Sequence, residues 1–263
     1  MNTEHTGAAD IYAMFRLDDR VALVTGGSKG LGESMALGLA QAGARTVICA
    51  RDQQACEAAA ARITAASGRE SIGLAMDVTM EDQVEAAFAR VMERFGRLDV
   101  LINSAGLNVR HMIDDCPAEV FRRVLDINLT GTWLCCRAAM RLMRPRRSGS
   151  MVNIGSALSA VGIPARTPYC SSKAGLLGLT RTIALEGAAD NVRCNIICPG
   201  PFLTEMNRPL LAEPEKAQAI IDQTALKRWA ELPEIRGAAL FLASDAASYV
   251  TGSALYVDGG WTA

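Results

Sequence analysis

The chain has 263 residues, half of them apolar, with 27 basic against 28 acidic residues and a formal net charge of −1. That length supports one large α/β domain or two small ones with a sizeable core, and the balanced charge excludes binding of nucleic acid or anionic membrane by bulk electrostatics. No apolar run approaches the roughly 20 residues of a membrane span, no signal-peptide pattern opens the chain, and the eight cysteines lack the paired spacing of zinc sites or a small disulfide framework, so we read a cytoplasmic protein with reduced thiols.

Residues 1–16 are polar and mixed and read as an N-terminal extension ahead of a single domain spanning 17–263. Apolar or β-branched runs follow near 20–26, 44–50, 71–78, 98–106, 149–156, 191–200 and 252–260, which predict strands buried on both faces. Between them, segments with helical periodicity predict helices over 30–42, 53–66, 80–95, 117–143, 168–188 and 232–243. Such alternation implies a doubly wound parallel sheet in a single α/β domain, with helices on both faces. Residues 201–229 are long for a connection inside a compact domain and read as a substrate lid or binding loop.

The first strand runs into "TGGSKGLG", with Thr25, Gly26, Gly30 and Gly32 in a T-G-x-x-x-G-x-G pattern. Glycines permit a tight turn and close backbone approach, and the following helix N-terminus offers free N–H groups to a pyrophosphate. A glycine cluster alone is weak; its place between a strand and a helix at the first βα turn makes it a dinucleotide site. Where an NAD site carries an acid on the ribose, the second strand ends in Ala50 followed by Arg51. Arg51 and Lys29 would together receive a 2′-phosphate, which favours NADP(H) over NAD(H), although the neighbouring Asp52 is within reach of a ribose.

The conjunction of "TGGSKGLG", "MDV" at 76–78, "NSAG" at 103–106, "LDINLTG" at 125–131, "NIGSALS" at 153–159, "YCSSK" at 169–173, "CPGPFLT" at 198–204 and the terminal "YVDGG" resembles the short-chain dehydrogenases/reductases. The resemblance covers roughly residues 17–263 and implies a Rossmann fold, a homotetramer and nicotinamide-dependent hydride transfer between a secondary alcohol and a ketone. It makes Tyr169 and Lys173 catalytic and part of the cofactor site, with Lys173 binding the nicotinamide-ribose hydroxyls as well as tuning Tyr169, Ser156, 13 positions before the tyrosine, orienting the substrate oxygen and Asn128 holding a water in a proton relay. Asp77 and Val78 would hold the adenine, Asn103 would flank the ribose, and Pro199, Gly200 and Thr204 would lie along the nicotinamide half. Ser28, Leu31, Ala105, Gly106 and Phe202 join the cofactor site through the same motifs. Ser104 departs from the family's more frequent second asparagine.

A helix puts residues i and i+4 on one face, so Tyr169 and Lys173 are expected to share the cleft. The ammonium is expected to favour the phenolate and lower the tyrosine's pKa, fitting it for proton exchange. Taken singly, each of these residues has an ordinary structural explanation; their joint occurrence with the glycine turn carries the reading. His5 and His111 are the only histidines, and we expect no metal. The basic run at 141–147 reads as a solvated turn rather than a nucleic-acid patch, and Cys170 as structural.

"PGPFLTEMNRPLL", "LKRW" at 226–229 and "YVDGGWTA" are most similar to gluconate 5-dehydrogenase and related sugar, polyol or sugar-acid oxidoreductases. A sugar acid would need a cation, for which Arg110, Arg166 and Arg208 are candidates. The 3-oxoacyl-acyl-carrier-protein reductases share nearly all these motifs and stay open as an alternative, as does a catalytically silent NADPH-binding regulator.

Overall fold

Strands and helices alternate in the computed structural model much as the apolar runs predict. It describes residues 10–205, 207, 210 and 212–263, the side chain of Lys216 excepted. In chain order the elements are β1 (Val21–Thr25), α1 (Gly30–Gln41), β2 (Arg45–Ala50), α2 (Gln53–Ser67), β3 (Ser71–Ala75), α3 (Glu81–Phe95), β4 (Val100–Asn103) and α4 (Ala118–Leu125). They continue with α5 (Gly131–Met143), β5 (Gly149–Ile154), α6 (Thr167–Gly187), β6 (Val192–Pro199), α7 (Pro214–Gln223), α8 (Arg236–Ala243) and β7 (Ala254–Val257). All seven strands pair in parallel in the order β3-β2-β1-β4-β5-β6-β7. The chain therefore winds outward from β1 to β3 and returns to the other side of β1. The crevice between the carboxyl ends of β1 and β4 is where such sheets bind ligands.

Successive strand residues face opposite sides, which divides the core in two. Ala22, Val24, Val100, Ile102 and Val152 pack with α1, α2 and α8. Val21, Leu23, Leu101 and Met151 pack with α3, α5 and the end of α6. At the amino end of the sheet Asp99 joins β1 to β4. Its carboxylate accepts from Val21 N at 2.9 Å and from Arg97 Nε and Nη2 at 2.7 and 2.6 Å. Asp99→Ala strands the buried Val21 N–H and is expected to cost about 2 kcal/mol, read as a lower midpoint in urea or thermal unfolding; an unchanged midpoint would remove this role.

Two elements differ from expectation. The helix predicted over 117–143 is interrupted by a π turn at Asp126–Thr130, whose extra residue re-aims the backbone and puts Asn128 fully inside. The 201–229 segment contains α7, which starts at Pro214, a residue pre-shaped for a first helical position. In the basic run, Arg141 pairs with Glu85, Arg144 and Arg147 with Asp190, and Arg146 with Asp99, so these cations serve local ion pairs. Among the described residues no helix is long and apolar enough to cross a membrane.

Candidate active site

β1 ends at Thr25, whose Oγ1 accepts the N–H groups of both Ser104 and Ala105 at 3.1 Å, tying the first turn to the end of β4. Gly26 follows at φ +62°, where a Cβ would lie 2.8 Å from Ser104 O and from the Ala105 backbone. A Cβ on Gly32 would stand 2.3 Å from the Gly26 carbonyl oxygen, so the helix start can rest on the turn only as glycine. Lys29, the N-cap of α1, is extended and gives no side-chain cap. The first-turn N–H groups are thus left for an anion, and Ser28, Lys29, Gly30, Leu31 and Gly32 line the cleft there. This geometry fits a dinucleotide pyrophosphate.

Arg51 and Asp52 line the same wall at the end of β2. Asp52 is committed as the N-cap of α2, its Oδ1 accepting Ala55 N at 3.1 Å, while Arg51 is exposed. Lys29 lines that wall as well, its Nζ 2.9 Å from Glu205 Oε2 in an exposed ion pair. Asp77 is held by Thr79, whose N and Oγ1 donate to its Oδ1 at 2.9 and 2.8 Å, and Val78 packs beside it. Both line the cleft, as do Ser104, Ala105, Gly106, Pro199, Gly200, Phe202 and Thr204. Asn103 does not. Its Nδ2 donates to Asn153 Oδ1 at 2.9 Å inside the sheet, with Cys136 Sγ at 3.2 Å, because alternate residues of β4 point to opposite faces. Its side chain therefore is turned away from the ribose position expected for it.

Tyr169 and Lys173 stand on one face of α6 in the first turns after Pro168, with Lys173 Nζ 5.6 Å from the Tyr169 ring centroid. Ser156 caps a short 3₁₀ turn after β5 (Ala157–Ser159); its Oγ accepts Leu158 N at 3.1 Å and hydrogen-bonds the Tyr169 hydroxyl. Lys173 Nζ is buried and donates to Ile154 O at 2.6 Å. The expected sign of the tyrosine shift is overturned. Although the ring is partly open to the cleft, desolvation of the hydroxyl pushes the Tyr169 phenol above its usual value and outweighs the Ser156 hydrogen bond. Burial lowers Lys173 to about 8. Each group is biased toward its neutral form.

Asn128 is tied into the protein by its side chain. Its Oδ1 accepts Leu107 N at 2.7 Å, and its Nδ2 donates to Leu107 O and Ser172 Oγ, both at 2.9 Å. Ser172 Oγ in turn donates to Tyr169 O at 2.8 Å. Both amide hydrogens are committed to protein, so this side chain clamps the loop after β4 to α6.

The cleft encloses about 1230 Å³, more than the roughly 300–1,000 Å³ of a drug-sized ligand site and enough for a dinucleotide and a second molecule. Beyond Tyr169 it is walled by Asn108, Arg110, Leu158, Ile163, Arg166, Trp229 and Trp261. Asn108, Leu158 and Ile163 escaped the sequence reading, since no spacing rule marks such loop residues. Arg208 and His5 lie outside the described residues, as does most of the 1–16 extension. His111 laces two loops, its N–H donating to Ala165 O at 3.3 Å. Cys170 is partly buried and outside the cleft lining. Among the described residues no cluster of three or more His, Cys, Asp or Glu groups is arranged to hold a metal.

A family model described as enoyl-(acyl carrier protein) reductase matches residues 26–262. The chain is 38% identical over 249 residues to a 3-oxoacyl-[acyl-carrier-protein] reductase of Synechocystis sp., covering 94% of this chain and 98% of the relative. It is 37% identical over 248 residues to D-threitol dehydrogenase of Mycolicibacterium smegmatis, covering 94% and 95%. Among solved structures, a gluconate 5-dehydrogenase from Burkholderia cenocepacia in complex with NADP and tartrate superposes with a TM-score of 0.93 at 34% identity, covering 96% of this chain and 99% of that one. Joined to a glycine-turned phosphate site and a Ser156–Tyr169–Lys173 cluster in one cleft, these matches establish that the chain belongs to the short-chain dehydrogenase/reductase family of oxidoreductases acting on CH–OH groups.

Proposed function

We propose that the protein is an NADP(H)-dependent oxidoreductase interconverting a secondary alcohol and a ketone on a sugar acid, polyol or keto-sugar. The observation that carries this is the meeting of Ser156, Tyr169 and Lys173 in the same cleft as the pyrophosphate turn. The bound nicotinamide supplies or takes the hydride. Tyr169 gives its hydroxyl proton to the carbonyl oxygen in reduction and takes the alcohol proton in oxidation, Ser156 orients that oxygen, and Lys173 stands behind the phenol. Asn128 positions α6 through Ser172.

The 2′-phosphate preference rests on Arg51, with Asp52 engaged as a cap and Ala50 in place of an acid. A charge-assisted hydrogen bond contributes about 1.5–3 kcal/mol, so Arg51→Asp is expected to lower kcat/KM with NADPH about 10- to 150-fold and to spare NADH. Nicotinamide absorbance with each cofactor checks this, and an unchanged NADPH/NADH ratio would sink it. The Synechocystis relative favours 3-oxoacyl thioesters as a second substrate reading, and assaying both substrate classes separates the two.

We assign residues 201–229 as the substrate-side lid segment, supported by Phe202, Asn207, Leu210, Ile220 and Trp229 in the cleft wall. Eight unpaired cysteines support a cytoplasmic setting. Self-association as a homotetramer through α5 and α6 is supported by Trp133 and Leu185, exposed at 43% and 80%; a monomeric mass by light scattering would refute it.

A further inference from the structure

Arg166 is the N-cap of α6, three residues before Tyr169, and lines the cleft while only 9% exposed. The backbone around it is set firmly. Ala165 takes φ +59°, the left-handed region, its carbonyl accepts His111 N at 3.3 Å, and residues 111 and 166 form a parallel bridge. Of its five guanidinium N–H donors, the hydrogen bond formed is Nη1 to its neighbour Ala165 O at 3.1 Å. Glu119 and Asp126 line the same cleft, yet among the described residues no carboxylate comes within ion-pair distance of Arg166.

Arg193 shows the contrast. It is likewise held below its usual pKa by burial, but its guanidinium donates to the carbonyls of Val250, Leu242 and Ser244 at 3.2, 2.9 and 3.0 Å. Arg193 is a structural arginine whose donors are met. Arg166 is lowered by burial and then by a second cation, Arg110. A buried guanidinium with no carboxylate paired to it, beside a second and exposed cation, is an arrangement that an incoming anion relieves.

Resting on the oxidoreductase reading above, we propose that, of the substrates it allows, the one taken is the sugar acid, its carboxylate held in bidentate fashion by Arg166 with the exposed Arg110 beside it at the rim. Arg166 is then a specificity-determining residue that separates keto acids of sugars from neutral sugars and from acyl thioesters.

The test is nicotinamide turnover of the purified enzyme with NADPH on four probes: a six-carbon keto-aldonic acid, a ketohexose, a ketohexose phosphate and a short 3-oxoacyl thioester. Wild type is expected to prefer the keto-aldonic acid over the ketohexose by 30-fold or more in kcat/KM. Arg166→Met is expected to collapse that ratio at least 30-fold, through KM, with Arg166→Lys in between. In parallel, the thermal midpoint of the wild-type protein is read with an aldonate and with the matching neutral polyol; this arm needs no variant and no turnover, and a shift with the aldonate alone is expected. Equal treatment of acid and neutral sugar in both arms, or preference for the phosphate or the thioester, overturns the proposal. Failure of the oxidoreductase reading looks different: no probe is turned over, or Tyr169→Phe turns over the preferred probe as wild type does.

Discussion

Replacing Tyr169 by phenylalanine is expected to lower kcat in both directions by about 10²–10⁴-fold, the range for loss of a positioned general acid–base group. The substitution removes one oxygen and keeps the ring, so the packing beneath Lys173 stays and the lost contact is the hydrogen bond to Ser156. Affinity for NADP(H) and the thermal midpoint are expected to stay near wild type, because the phosphate turn at Gly26–Gly32 lies on a different element. Steady-state absorbance assays, with calorimetric titration of the cofactor, read both quantities. A variant keeping more than a tenth of wild-type turnover would remove Tyr169 from the chemistry.

Lys173→Met is expected to act in opposite directions on turnover and stability. Turnover is expected to fall by about 10²-fold as the group behind the phenol is lost. Stability at pH 7 is expected to rise. Burial lowers the Lys173 ammonium from 10.5 to about 8, and at 1.36 kcal/mol per unit this is a folding cost on the order of 3 kcal/mol, offset by about 1 kcal/mol when the Ile154 carbonyl loses its donor. The net gain is about 2 kcal/mol. Between the folded value of about 8 and the unfolded value of 10.5, the unfolded chain binds more protons, so wild-type stability rises with pH across that window. The difference between the two proteins is therefore full below pH 8 and closes toward pH 10.5. Urea unfolding of both proteins at about pH 7 and about pH 10 checks the sign; a Met variant less stable than wild type at the lower pH would contradict it.

The architecture was legible because strands covered on both faces are near-continuous apolar runs, as in Val21–Thr25 and Arg45–Ala50. The i, i+4 spacing likewise revealed that Tyr169 and Lys173 share a face. Spacing reports proximity, however, and carries no information on desolvation, which here pushes the tyrosine upward, against the expected direction. The direction of the Asn103 side chain was hidden for a related reason: a motif names a residue, while the phase of β4 decides which face receives it. Asn128 was found, but the π turn that aims it inward was not, since one extra residue in a helical run leaves the apolar period almost intact. Asn108, Arg166 and Trp229 line one cleft only through tertiary packing across some 120 residues of chain, and no local pattern records that. The pairing of Lys29 with Glu205 was invisible on the same ground.

The strand order has a consequence for how the protein comes into being. β1 pairs with β4, from Ala22 with Val100 to Thr25 with Asn103, across a loop that must close before any contact rewards it. A nascent chain that has emerged only through β3 holds the glycine turn and its helix, yet Thr25 Oγ1 still lacks the two N–H groups of Ser104 and Ala105 that brace it. Tyr169 arrives later still, on α6. The glycine turn and the Tyr169 helix are thus synthesised in sequence, and the two walls of the cleft come together only once the long-range half of the sheet has closed.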